Sequence, residues 1–115
     1  MSSPITTHVL DTARGRPAAG LPVTLEIQLA DGGWKLLGHG PTDADGRARN
    51  LLPEGAPLVR GVYRLLFETA AYFTANGLEG FYPRVTVVFE VRDPAQHYHV
   101  PLLLSPHGYS TYRGS

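Results

Sequence analysis

Two histidines one residue apart, His97 and His99, are the first residues of this sequence whose type and spacing can do chemistry. In a strand alternate side chains share a face, so both imidazoles would lie with Pro101 and Leu103, and Tyr98, Val100, Leu102 and Leu104 would lie on the other face. Paired imidazoles on one face can bind zinc, with His8 or His39 as a third ligand. Alternatively, one of them acts as a neutral general base or acid, since unperturbed imidazole titrates near neutrality. A pair of exposed strand residues with no task is the third reading, and the spacing leaves all three open. Arg47 directly follows the Asp45-Gly46 turn, where a tight backbone can aim its guanidinium, and its fork of donors suits a planar anion or a urea-like edge. Arg49 would point to the same side in a regular strand. His8 stands beside Val9, so if Val9 enters a core, His8 looks out of it. Taken singly, His8 and Arg47 are equally compatible with solvated surface residues.

These side chains need strands to hold them, and the chain reads as strands. Ile5 to Asp11 is a first strand, followed by a turn around Gly15 and Pro17. Val23, Leu25, Ile27 and Leu29 alternate with Thr24, Glu26 and Gln28, which is the pattern of a half-buried strand. Asp31-Gly32-Gly33 marks a hairpin turn and Trp34 to Gly38 the returning strand. Asp43 to Gly46 is a second turn, with Gly46 free to take positive φ. Arg47 to Leu51 leads into a Pro/Gly-rich loop, Pro53 to Gly61, and Val62 to Thr69 is the next strand. Thr69 to Asn76 is the one helix expected, with Thr69 as its cap and Gly77 at its end. Val85 to Val91 carries valines on both faces at Val88, which suggests a strand lying between a core and something else, such as a partner subunit. Tyr98 to Leu104 is the last clear strand, and Pro101 places it at an edge, at its first residues or at a bulge. The terminal run Ser105 to Ser115 keeps aromatic and hydroxyl residues almost to its end, which predicts an ordered segment rather than a loose terminus. Short strands, frequent turns and one minor helix imply an all-β sandwich, with a small barrel as the competing architecture.

Composition bounds the function. The 115 residues suit one domain, 1–115, with no internal repeat and no dividing linker. Ten basic and ten acidic residues cancel, which argues against nucleic acid or an acidic membrane surface as partner. There is no cysteine, which removes disulfides and thiolate chemistry. No apolar run in Met1 to Gly15 has the length of a signal peptide, so the expected location is cytoplasmic.

Five segments together carry a family resemblance. They are His8-Val9-Leu10-Asp11, Thr42-Asp43-Ala44-Asp45-Gly46-Arg47, Phe81-Tyr82-Pro83, His97 to Pro106, and the terminal Tyr112-Arg113-Gly114-Ser115. With them the chain resembles the 5-hydroxyisourate hydrolases, the transthyretin-like family of purine catabolism. The terminal tetrapeptide is the most specific piece, being what separates the hydrolases from transthyretin, the hormone carrier of the same fold. The resemblance implies a sandwich of two four-stranded sheets with one short helix. It implies four chains assembled as a dimer of dimers, with active sites between dimers. It implies His8, Arg47 and His99 as catalytic residues, and Tyr112, Arg113, Gly114 and Ser115 as substrate-binding residues. His97 matches a neighbour of the catalytic histidine rather than the histidine itself. Tyr82 stands where a second Phe is frequent in the family. No metal and no cofactor is implied, and the partner is a small-molecule substrate, a planar oxidised purine whose N1–C6 bond is hydrolysed. A ligand-binding protein of the same fold without catalysis is the alternative, and a zinc-dependent protein using His97 and His99 is a further rival.

Overall fold

The computed structural model describes residues 3–115; Met1 and Ser2, the start of the expected domain, lie outside the described residues. Nine strands and one helix follow in the order β1 (Ile5–Asp11), β2 (Arg16–Pro17), β3 (Pro22–Gln28), β4 (Trp34–Pro41), β5 (Arg47–Ala48), β6 (Gly61–Phe67), α1 (Thr69–Ala75), β7 (Val85–Val91), β8 (Tyr98–Ser105) and β9 (Gly108–Thr111). They form two sheets. One has the order β2-β1-β8-β9 with the short β5 also paired to β1, and the other has the order β4-β3-β6-β7. Two sheets facing each other across one apolar core make the expected sandwich, and the first gains a fifth strand only through the two-residue β5.

Period-two patterning builds that core. Ile5, Val9, Leu102 and Leu104 point inward from the first sheet, and Val23, Leu25, Tyr63, Leu65, Phe67 and Val85 from the second, all essentially without solvent contact. The run in β3 stops one residue early. Leu29 is exposed because the hairpin turn begins there, its N–H donating to Gly33 O at 2.7 Å. β7 is an edge strand, and its Val88 is 57 % exposed on the face away from the core.

Two expectations change. Thr69 does not cap α1: the cap position falls on Glu68 without a side-chain bond, and Thr69 is the first helical residue. Its hydroxyl is instead spent on Tyr82 O at 2.6 Å, tying the helix to the segment that leaves it. Gly77, at φ +72°, ends the helix as expected. Pro101 does not mark an edge, the start of a strand or a bulge, for β8 lies between β1 and β9 and Pro101 is its fourth residue. Tyr98 N donates to Pro4 O, and Thr12 N to Leu104 O, so the even-numbered peptide groups of β8 face β1. The missing N–H of Pro101 therefore faces the tail. There the ladder with β9 stops at Leu102–Thr111, Thr111 Oγ1 donates to Pro101 O at 2.7 Å, and pairing resumes at His99–Gly114. One absent donor interrupts the ladder without ending it, so the tail stays in register to its last residues.

Candidate active site

β1 and β8 run parallel, and their register sets Thr6 opposite His99 and His8 opposite Pro101. On the other flank of β1, β5 sets Arg47 opposite His8. Residues distant in sequence thereby share one outer face of the first sheet. Val9 is fully buried and His8 half-buried on the opposite face, which is the facing that alternation predicts.

Arg47 is aimed by its turn. Asp43 Oδ1 accepts from Asp45 N at 2.9 Å and from Arg47 N at 3.0 Å, and Asp43 N donates to Arg47 O at 2.8 Å. These bonds, chiefly that from the Arg47 amide, hold the Asp43 carboxyl below its usual range. Gly46 takes φ +79°, and a Cβ there would lie 2.5 Å from Val9 O, so only glycine lets the turn lie against β1. The guanidinium of Arg47 forms no hydrogen bond or ion pair with the described residues. His8 Nε2 lies 2.8 Å from Asp45 O. A carbonyl only accepts, so Nε2 carries the ring proton and Nδ1 is left as an acceptor.

His99 is a perturbed group here. Burial pushes its imidazole below the ordinary value, and the charges of Arg47, His97 and His8 push the same way. Its Nδ1 lies 2.9 Å from Thr6 Oγ1, and the same hydroxyl lies 3.2 Å from His97 Nε2. The two imidazoles are nearly parallel, with centroids 6.5 Å apart. Zinc would need nitrogens about 2.0–2.1 Å from a common point. Instead, the facing nitrogens are spent on one hydroxyl, and no three His, Asp or Glu side chains among the described residues converge as a metal-binding cluster.

A cleft of about 250 Å³ opens on this face, lined by Thr6, Thr7, Arg47, Arg49, His97, His99 and Ser115. Arg47, His99 and Ser115 of the expected set come together in it, and His8 flanks it through its pairing with Arg47. Gly114 supports it from behind. Its N–H donates to His99 O at 2.8 Å, and a Cβ at Gly114 would lie 2.6 Å from His99 Cδ2. Tyr112 and Arg113 instead line a second, more apolar cavity of about 260 Å³, which His99 also lines, together with Val87, Val88 and Tyr98. There Arg113 lies 4.6 Å over the Tyr98 ring and donates to Gln96 Oε1 at 2.9 Å. The tail thus divides, with Ser115 in the first cleft, Tyr112 and Arg113 in the second cavity, and His99 lining both. Sequence reasoning missed Thr6. Its available signal was period two, since Thr6 precedes His8 by one full strand repeat and so shares its face.

The HIUase/Transthyretin family profile matches residues 5–114. A 5-hydroxyisourate hydrolase of Salmonella typhi is 48% identical over 114 residues, covering 99% of this chain and 82% of that protein. Among solved structures, a 5-hydroxyisourate hydrolase of Klebsiella pneumoniae superposes with TM-score 0.84 at 37% identity, covering 100% of both chains. Sea bream transthyretin, solved in complex with thyroxine, superposes with TM-score 0.88 at 38% identity, covering 97% of this chain and 95% of that one. A profile that takes in nearly every residue, together with relatives that align from end to end, shows that this chain belongs to the HIUase/Transthyretin family.

Proposed function

We propose that this protein hydrolyses 5-hydroxyisourate, opening the ring at N1–C6 to give 2-oxo-4-hydroxy-4-carboxy-5-ureidoimidazoline in urate breakdown. The fold alone does not choose between hydrolase and carrier, because the thyroxine-bound transthyretin superposes as well as the hydrolase does. The site chooses. One observation carries the reading: an imidazole whose charged form burial disfavours stands in a cleft with a guanidinium that pairs with no carboxylate among the described residues. A carrier of a small aromatic ligand has no need of that pair, whereas a hydrolase needs both.

The half-buried His99 is the general base. Its neutral form accepts a proton as water attacks C6 of the substrate. Arg47 binds the substrate oxygen and stabilises the charge that develops on it, and its lack of a carboxylate partner leaves the whole fork free for the task. His8, with its proton fixed on Nε2, offers Nδ1 to orient the water. Ser115 lines the cleft beside His99, and Gly114 pairs with the His99 backbone. Water supplies the hydroxyl to C6 and the hydrogen to N1 as their bond breaks, so no metal or cofactor enters the balance.

In the single chain the cleft is open, with His97, Arg49 and Ser115 exposed. A homotetramer, a dimer of dimers, would cover it, and Tyr112 and Arg113 would then take part at the shared boundary. No helix among the described residues is long and apolar enough to cross a membrane. The reading places the enzyme in the cytoplasm with a small-molecule substrate. The test is spectrophotometric, following freshly generated 5-hydroxyisourate under single-turnover conditions. The native protein should accelerate its loss, and His99→Asn and His8→Asn should each slow it. Near-native rates in both variants would remove the histidines from the chemistry.

A further inference from the structure

Thr6 is 6 % exposed, yet its hydroxyl touches two imidazoles: His99 Nδ1 at 2.9 Å and His97 Nε2 at 3.2 Å. Both rings line the cleft, and His97, just before β8, is the more exposed of the two. We propose that Thr6 is a positioning residue that links these rings as a proton relay, so that the positive charge created by base catalysis appears on exposed His97 rather than on His99. The proposal deepens the hydrolase reading and rests on it.

The argument is one of valence. A hydroxyl has one hydrogen to give and lone pairs to accept with. Between two neutral imidazoles it can donate to one ring and accept an N–H from the other, the arrangement that uses the hydroxyl hydrogen within the three groups. When His99 Nδ1–H donates to Thr6 Oγ1, the Thr6 O–H donates to His97 Nε2, and His99 Nε2 is left bare as the base. When water gives its proton to His99 Nε2, the Nδ1 proton passes to Oγ1 and the hydroxyl proton passes to His97 Nε2. His99 ends neutral in its other tautomer, Thr6 is unchanged, and His97 becomes the imidazolium. The reverse shift, as His99 Nε2–H gives its proton to the leaving nitrogen, restores the start. Nothing is gained or lost across the cycle.

Charge placement favours this route. An imidazolium at His99 would be half-buried and would be opposed by the charge of Arg47, with His8 also close by. Like charges cost several-fold more in a half-buried site than in water. The same charge on His97 lies on the more exposed ring of the pair. The β1–β8 register sets Thr6 opposite His99 and so builds the bridge, beside which the two rings lie nearly parallel.

The test compares Thr6→Val, which keeps the shape, with Thr6→Ser, which keeps the hydroxyl. Thr6→Val should lower kcat by about 10- to 100-fold, within the range of a single acid–base contribution, with KM changed less than about twofold. Thr6→Ser should recover most of that loss. His97→Gln should fall to the level of Thr6→Val, and the double variant Thr6→Val/His97→Gln should fall no further, since both break one chain. Three results would overturn the relay: an unaffected kcat in Thr6→Val, equal loss in Thr6→Ser, or losses that multiply in the double variant. His99→Asn separates this from the parent reading. If it is inactive while Thr6→Val is normal, only the relay fails; if it is fully active, the base assignment itself fails.

Discussion

The outer faces of the two sheets carry the same kinds of residue and treat them in opposite ways. On the second sheet Arg64 Nε donates to Glu26 at 2.6 Å, its register partner across β3 and β6, and the guanidinium lies 4.2 Å over the Trp34 ring. Every valence of that arginine's surroundings is local: carboxylate, aromatic face and solvent. On the first sheet Arg47 has only its backbone bonds to Asp43, and no carboxylate answers its guanidinium among the described residues. Beside it stands an imidazole whose neutral form is favoured by burial and by that same unanswered charge. A paired cation is a structural contact of modest worth. An unpaired one facing a cleft is available to a ligand, and that difference locates the site more reliably than the presence of charge does.

Substitutions on the two faces should therefore part company. The largest effect is expected at His99, where His99→Asn should lower kcat/KM by about 10²–10⁴-fold, the usual worth of a general base, while Glu26→Gln leaves it unchanged. Steady-state kinetics on freshly generated substrate reads both. Arg47→Lys should cost about 10²–10³-fold in kcat, the usual worth of a lost oxyanion donor, because an ammonium cannot reproduce the planar fork. Arg64→Lys in the same assay should stay near wild type. Gly114→Ala should displace the His99 ring, since the new Cβ would lie 2.6 Å from its Cδ2. A misplacement of about 1 Å can cost up to about 100-fold, and the loss should come without a matching fall in Tm. The smallest effect is a titration. Arg47→Gln removes one cause of the lowered His99 pKa, so the ring should titrate at higher pH than in the wild type. Proton NMR of the ring reads the shift, and Arg64→Gln should leave it in place.

How far these features could be read from the sequence differs by residue. The core was legible because alternation in β8 separates Leu102 and Leu104 from His99 and Leu103 without knowledge of any partner strand. The turn before Arg47 was legible because Asp43 and Gly46 act over four residues. Thr6 was not, because its role depends on the parallel β1–β8 pairing, which joins positions more than ninety residues apart. Pro101 misled for a related reason. A missing N–H predicts the end of a ladder, but Thr111 Oγ1 bonds the Pro101 carbonyl across the gap and the tail pairs again at His99. The helix cap was misread because the Thr69 hydroxyl is used by Tyr82, a contact across the chain rather than along it.

The central claim is that catalysis titrates with His99. The acid limb of kcat/KM for 5-hydroxyisourate reports the free enzyme's essential base, and an NMR titration of the His99 ring reports the same proton independently. The two midpoints should coincide, both below the ordinary imidazole value, because burial and Arg47 disfavour the charged ring. Activity should then hold as pH falls through neutrality and fail only below it. An acid limb that follows a group outside the His99–Thr6–His97 chain would contradict the account.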